Sequence, residues 1–232
     1  MTNEIACCDN LDFIKRIPDE SIDFSYNDVP FLSINRGKNI FPRSGDKVLL
    51  TSFFRPRLIE IWRTLKPSAV LALHVNLSML KPILSIASTC FDSGHYAGVY
   101  LIKHSRASVT SAKYSLSNDQ LILLYTKARF SFYQDHKDFE HANLQLLSGV
   151  HVETYPGEPF FRPFQKPLSL MTFLVKTFSK PNDTVSDFFC GTGTTAVASI
   201  LEGRNFVVCD IDPDAISITQ KRVFVLLDEK IS

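Results

Sequence analysis

Residues 183–212 constrain the fold more than any other part of the chain. They read Asp183-Thr-Val-Ser-Asp-Phe-Phe-Cys-Gly-Thr-Gly-Thr-Thr195, then Ala196-Val-Ala-Ser-Ile-Leu-Glu-Gly-Arg204, then Asn205-Phe-Val-Val-Cys-Asp-Ile-Asp212. Residues 184–189 alternate and then fill with apolar side chains, as a strand covered on both faces does. Gly191 and Gly193 allow a sharp turn and leave backbone N–H groups open to a ligand. Residues 194–201 are a short helical run that Gly203 stops. Residues 206–208 are a second buried strand, and the acids Asp210 and Asp212 follow it. The order strand, glycine turn, helix, strand is that of a doubly wound α/β sheet.

An acid at the end of the second strand suits the two hydroxyls of a ribose, so the unit reads as a nucleoside-cofactor site. Gly191-x-Gly193-x-x-Ala196 satisfies a relaxed dinucleotide fingerprint, with acids about 20 residues on. A nucleoside-triphosphate loop is excluded, because no Lys-Ser or Lys-Thr follows the glycines. Asp187 separates the remaining options. A carboxylate just before the turn repels a pyrophosphate but suits an ammonium group, which favours S-adenosylmethionine over NAD. The alternative is a structural βαβ unit with surface acids.

Near the other end, residues 4–8 form a short apolar strand followed by Asp9, and residues 11–17 have helical spacing. Residues 22–26 form another strand, running into Asn27-Asp-Val-Pro-Phe31. A carboxylate, a prolyl turn and an aromatic ring at a strand end suit a planar base with an exocyclic amino group. Asp28 and the carbonyl of Val29 can accept the two amino hydrogens, while Pro30 stiffens the turn and Phe31 stacks on the ring. An ordinary β-turn with a core phenylalanine is the competing reading.

These segments together resemble the DNA amino-methyltransferases. DFFCGTGTT followed by GRNFVVCDID is similar to that family's cofactor motif, usually written DPFCGSGTT…GR…EI, with Phe188 for Pro and Asp210 for Glu. CCDNLDFIKRIPDESIDFSYNDVPF resembles its amino-terminal region, which usually ends D-P-P-Y or D-P-P-F. Here Val29 replaces the first Pro, so φ is not fixed at that position. Arg162-Pro-Phe-Gln-Lys-Pro-Leu168 resembles its H-P-T-Q-K-P-L motif, with Arg162 and Phe164 as departures.

The resemblance covers nearly the whole chain. It implies a class I, Rossmann-like methyltransferase fold in one domain, 1–232: a three-layer sandwich, circularly permuted, with a mostly parallel sheet and an antiparallel hairpin at its edge. It further implies S-adenosylmethionine as cofactor, held by Asp9, Lys166, Asp187, Phe189, Cys190, Gly191, Thr192, Gly193, Thr194, Thr195, Asp210 and Asp212. In that set Lys166 meets the cofactor's carboxylate. Asp28, Val29, Pro30 and Phe31 form the catalytic loop, and methyl transfer to an exocyclic amine needs neither a metal nor a covalent intermediate. An acidic first catalytic residue points to adenine within this family, where Ser points mostly to cytosine. A base must be flipped out of the duplex to be reached.

Composition narrows the partners. The chain has 232 residues, 45% hydrophobic and 21% charged, with a formal net charge of +1, so bulk charge argues neither for nor against nucleic acid. Cations gather between residues 35 and 66, where Arg36, Lys38, Arg43, Lys47, Arg55, Arg57, Arg63 and Lys66 face only Asp46 and Glu60. Lys103, Arg106 and Lys113 lie in a second basic run. The loops 32–49 and 105–160 are therefore expected to contact DNA phosphates, although solvated faces give such runs too. No metal is expected, since the six histidines have no ligand spacing. Cys7, Cys8, Cys90, Cys190 and Cys209 form no C-x-x-C pair, which fits buried thiols of a reducing, cytoplasmic compartment.

Neither a secretion signal nor a membrane span of ~20 residues is evident. Three other readings stay open: transfer to the cytosine amino group, a catalytically silent subunit that binds DNA or cofactor beside an active partner, and an NAD-dependent oxidoreductase. A homodimer is compatible with the family.

Residues 51–65 read as a helix interrupted early by Pro56, 70–75 as a strand, 77–90 as a helix, 98–103 and 120–125 as a hairpin, 168–178 as a helix and 214–227 as a last helix. Residues 129–163 show only weak periodicity.

Overall fold

The computed structural model describes residues 3–30, 47–91, 95–104, 120–128, 150–152, 159–163 and 165–229. Its strands are β1 (Glu4–Cys7), β2 (Ile22–Asp28), β3 (Leu65–Asn76), β4 (Tyr96–His104), β5 (Gln120–Thr126), β6 (Val150–Val152), β7 (Thr184–Asp187) and β8 (Asn205–Asp210). The helices are α1 (Asn10–Ile14), α2 (Lys47–Thr64), α3 (Leu77–Ala87), α4 (Leu168–Phe178), α5 (Thr194–Leu201) and α6 (Pro213–Glu229).

All eight strands join in one sheet of order β1-β8-β7-β2-β3-β5-β4-β6. Pairing is parallel from β1 through β3, antiparallel for β3–β5 and β5–β4, and parallel again for β4–β6. The expected hairpin is present, but β6, from the stretch without clear periodicity, lies outside it and forms the edge. The region 105–160 is accordingly not one loop, because it contains β5 and β6.

Alternation in the strands explains the layers. In β3, Leu71, Leu73 and Val75 face a core shared with Phe13, Phe54, Leu58, Ile61, Met79 and Ile83 of α1, α2 and α3. Val70 and Ala72 face the opposite core, where Phe24 and Tyr26 of β2 meet Leu170, Leu174 and Phe178 of α4. A third cluster packs Ala196 and Ile200 of α5 and Ile216 and Val223 of α6 on Phe206 and Val208 of β8. Apolar residues on both sides of the strand force helices onto both faces.

Local chemistry sets several helix starts. Asp9 caps α1 by accepting from Leu11 N–H at 2.8 Å, and Asn76 caps α3 by accepting from Met79 N–H at 2.9 Å. Pro56 does not interrupt α2, which runs unbroken on both sides of it. The missing N–H costs one backbone bond, but Leu50, Phe54, Leu58 and Ile61 bury on both sides of Pro56 and hold the helix together. Among the described residues no helix is long and apolar enough to cross a membrane.

Chain order places the switch point. From β2 the chain moves outward to β3, whereas β7, returning much later, takes the other side of β2 and is followed outward by β8. The carboxyl ends of β2 and β7 therefore flank the crevice where ligands bind in open α/β sheets.

The two turn glycines differ in kind. Gly191 has φ 52° and Gly193 φ 76°. A Cβ on Gly191 meets nothing within 4 Å, but on Gly193 it lands 2.4 Å from Thr219 Cγ2. Gly193→Ala is expected to destabilise the fold by about 2–3 kcal/mol through strain and clash together, and Gly191→Ala by about 1 kcal/mol through the left-handed backbone alone. Chemical denaturation of the two variants checks this; equal losses would contradict the steric assignment.

Candidate active site

A cavity of about 680 Å³ opens at this switch point, and residues from both termini line it. Asp28 ends β2 on one side; Asp187, Phe188, Phe189, Cys190, Gly191, Thr192, Thr194 and Thr195 form another wall. Asp210, Ile211 and Asp212 after β8 form a third, with Asp9, Asn10, Phe53 and Arg57 at the far rim.

The two central strands are bolted together at their carboxyl ends. Ser186 Oγ and Ser25 Oγ lie 2.8 Å apart, Asn27 Nδ2 donates to Ser25 Oγ at 2.9 Å, and Asn27 Oδ1 accepts from Phe188 N–H at 3.2 Å. All three polar side chains are fully buried, so each needs the others for hydrogen bonding. The result holds the Asp28 turn beside the glycine turn.

Val29 is anchored where proline stands in the related motif. Its side chain is buried in the core, and its N–H donates to His74 O at 3.1 Å. Proline has no such donor, so a hydrogen bond here replaces part of the rigidity that a ring supplies. Pro30 lines the cavity; Phe31 lies outside the described residues.

Asp28 accepts an ion pair from Lys166, Nζ to Oδ2 at 2.6 Å. Its Oδ1 is buried and has no hydrogen-bonding partner among the described residues. Burial pushes the Asp28 carboxyl up from its ordinary range, while the Lys166 ammonium opposes that shift. Lys166, expected to face a cofactor's carboxylate, thus pairs with the acid of the other loop.

Asp187 lies on the floor of the cavity. Its Oδ2 accepts from Thr195 Oγ1 at 2.5 Å and its Oδ1 from Phe189 N–H at 3.0 Å. Burial pushes its carboxyl up to about 7, with the charges of Asp28 and Asp210 adding to the rise and the two hydrogen bonds opposing it. Asp210 accepts from Gly191 N–H at 2.8 Å and from Asp212 N–H at 3.0 Å, tying the second strand end to the glycine turn.

Two predicted cofactor residues carry structural loads as well. Asp212 accepts from Asp214 N–H at 2.9 Å at the start of α6 and from Arg162 Nη1 at 2.6 Å. Burial alone would raise its carboxyl, but those contacts hold it below the ordinary range. Asp9, besides capping α1, accepts both contacts of Arg57 Nη2, at 3.0 and 2.8 Å.

Asn10, Tyr26, Asn27, Phe53 and Arg57 were not picked out from the sequence as site residues. Arg57 is buried and donates to Asn10 Oδ1 at 2.6 Å, Asn10 Nδ2 donates to Phe188 O at 2.9 Å, and the guanidinium lies 3.9 Å from the Phe53 ring centroid. The available signal was an amide next to each acid, Asn10 after Asp9 and Asn27 before Asp28. Arg36, Lys38, Arg43, Arg106 and Lys113 lie outside the described residues. Lys103 is on β4, paired with His151 of β6.

Five acids (Asp9, Asp28, Asp187, Asp210 and Asp212) and three cations (Arg57, Arg162 and Lys166) line the cavity. The cations pair with Asp9, Asp212 and Asp28, and among the described residues Asp187 and Asp210 have no cationic partner. Among the described residues no group of three or more His, Cys, Asp or Glu is arranged to hold a metal ion. A linkage test follows from Asp187. Its folded-state pKa lies above the ordinary carboxylate value, so it favours the fold at low pH and this contribution is lost as pH rises through about 7. The melting temperature of Asp187→Asn relative to wild type should therefore move in the variant's favour between pH 5 and pH 8. A pH-independent difference in melting scans would contradict the assignment.

The family model for DNA methylase matches residues 22–221. DNA adenine methyltransferase YhdJ of Escherichia coli (strain K12) is 26% identical over 243 residues, covering 94% of this chain and 81% of that protein. One other curated relative is 44% identical but over 57 residues only, and the chain spans 16% of its length. The PvuII DNA methyltransferase (cytosine-N4-specific) superposes with a TM-score of 0.77 at 14% identity, covering 98% of this chain and 91% of that one. The M1.HpyAVI–SAM complex superposes with a TM-score of 0.66 at 18% identity, covering 94% and 98%. At these identities the superpositions establish a shared fold.

Proposed function

This chain belongs to the DNA methylase family, whose members modify adenine N6 or cytosine N4, and we propose that it methylates the amino group of adenine in DNA with S-adenosylmethionine. The observation that carries the reading is the meeting of the Asp28 turn and the Asp187–Thr195 turn in one cavity.

The residues present fit the cofactor. Gly191 leaves open space at its Cα, Asp210 ends the second strand as a ribose acceptor, and Phe189 and Ile211 offer apolar surface for a base. Asp187 faces the ammonium of the methionine moiety. When bound, S-adenosylmethionine supplies an electrophilic methyl group on a cationic sulfur. The acids of the cavity complement that positive charge, and burial strengthens the attraction.

Asp28 accepts one hydrogen of the target amine and the carbonyl of Val29 the other, while Pro30 holds the turn. Two acceptors draw the nitrogen lone pair out of conjugation with the ring and aim it into the cavity. Catalysis is then positioning and electrostatic complementarity. Arg36, Lys38, Arg43, Lys103, Arg106 and Lys113 supply phosphate contacts to a duplex from which the base has been flipped. Asp28 favours adenine; cytosine N4 is the second reading, which the cytosine-specific relative of the same fold keeps in view.

Incubation with methylation-free DNA and tritiated S-adenosylmethionine should transfer label to DNA, and nucleoside digestion should show N6-methyladenine. Asp28→Ala should lower the rate about 10²- to 10³-fold. Methylcytosine as product would decide for the second reading, and no transfer by wild type would favour a silent binding subunit. Cofactor affinity should rise as pH increases through about 7, because Asp187 binds a cation only when ionised. Calorimetric titration at pH 6 and 8 checks the direction.

A further inference from the structure

The acid that must hold the amine is already occupied. Lys166 Nζ lies 2.6 Å from Asp28 Oδ2, and Asp28 Oδ1 is turned into the protein, buried and without a partner among the described residues. One carboxylate oxygen is thus buried and the other already holds an ammonium, so an incoming N–H donor competes with Lys166. An ammonium and an exocyclic amine have the same donor chemistry, nitrogen-bound hydrogens directed at a carboxylate oxygen. Both partners are largely buried, Lys166 with 12% and Asp28 with 22% of the side chain exposed, so the contact is not an ordinary solvated ion pair.

We propose that Lys166 is a placeholder for the target amine, holding Asp28 in the unliganded site and giving up its place when the flipped base enters. The inference rests on the function proposed above and makes Lys166 a positioning residue that acts through Asp28.

The surroundings explain why a placeholder is needed. Tyr26 lies two residues before Asp28 on the same strand, with its hydroxyl 2.5 Å from His74 Nδ1, and His74 is the register partner of Asp28 on β3. Asp187 on β7 lies close enough for the charge of Asp28 to raise its carboxyl, while burial is what raises Asp28 itself. Lys166, from the turn before α4, is the cation paired with Asp28 among the described residues. Without it the buried carboxylate takes up a proton and becomes a weaker acceptor for the N–H of the amine. Lys166 itself lines the cavity, and its four-carbon stem lets the ammonium withdraw while the backbone stays in place. Arginine at this position keeps the charge but grips a carboxylate with a planar fork, so exchange becomes harder.

The test is the pH profile of labelled methyl transfer at saturating S-adenosylmethionine, with DNA from a methylation-deficient strain, for wild type, Lys166→Met, Lys166→Gln and Lys166→Arg. The two neutral variants are alternatives, either sufficing if the other fails to fold in a thermal melt. The acid limb of kcat/KM for DNA, which reports the unliganded site, should move up by about one pH unit or more in the neutral variants and stay in place in Lys166→Arg. Above the limb, the neutral variants should show a lower KM for DNA, and Lys166→Arg a higher KM. An acid limb that coincides in the neutral variants and wild type overturns the proposal. So does a DNA KM that rises above the limb in the neutral variants, since Lys166 would then be cradling substrate. Absence of transfer by wild type is a different failure, that of the proposed function itself.

Discussion

The seam between β2 and β7 is the constraint on which the site depends. Only two residue pairs are in register there, Phe24 with Val185 and Ser25 with Ser186. Side chains extend it at both ends, through Thr184 N–H to Asp23 Oδ2 at 2.9 Å and Phe188 N–H to Asn27 Oδ1 at 3.2 Å. These contacts join residues 161 positions apart. Closing so long a loop costs entropy that a four-residue strand recovers poorly from pairing alone. Buried polar partners add both stability and register, because a slip by one residue would leave each of them unsatisfied.

Charge in the cavity follows from that seam. Parallel strands deliver their carboxyl ends to one rim, so the acids that end β2, β7 and β8 collect together. Each has a different answer to the repulsion: Asp28 takes a lysine, Asp210 takes two backbone N–H groups, and Asp187 takes a hydroxyl and an N–H and holds its proton to about pH 7. A cationic ligand relieves the crowding that the fold imposes.

Much of the architecture was legible because its signals are local. Helices 168–178 and 194–201 stand where periodicity and the flanking proline and glycines put them. The strand before the glycine turn was read two residues too long, since Phe188 and Phe189 are apolar without being paired in the sheet. Pro56 was read as a break because the propensity argument contains no packing. Strand β6 was invisible: three residues carry no period, and only β4 beside them makes them a strand.

Chemistry types were likewise written in the chain, which names an acid, a glycine turn and a second acid at spacings that suit a nucleoside cofactor, and an acid and a prolyl turn suited to an amine. That much the amino-acid sequence determined by itself, because turns, strand ends and charges are properties of neighbouring residues. Only the tertiary structure decided that Lys166 faces Asp28, that Arg57 and Asn10 brace the rim, and that Asn27 bolts the strands. Those pairings join residues 47 to 178 positions apart, and only the sheet order and the packing of helices on it bring them within hydrogen-bonding distance.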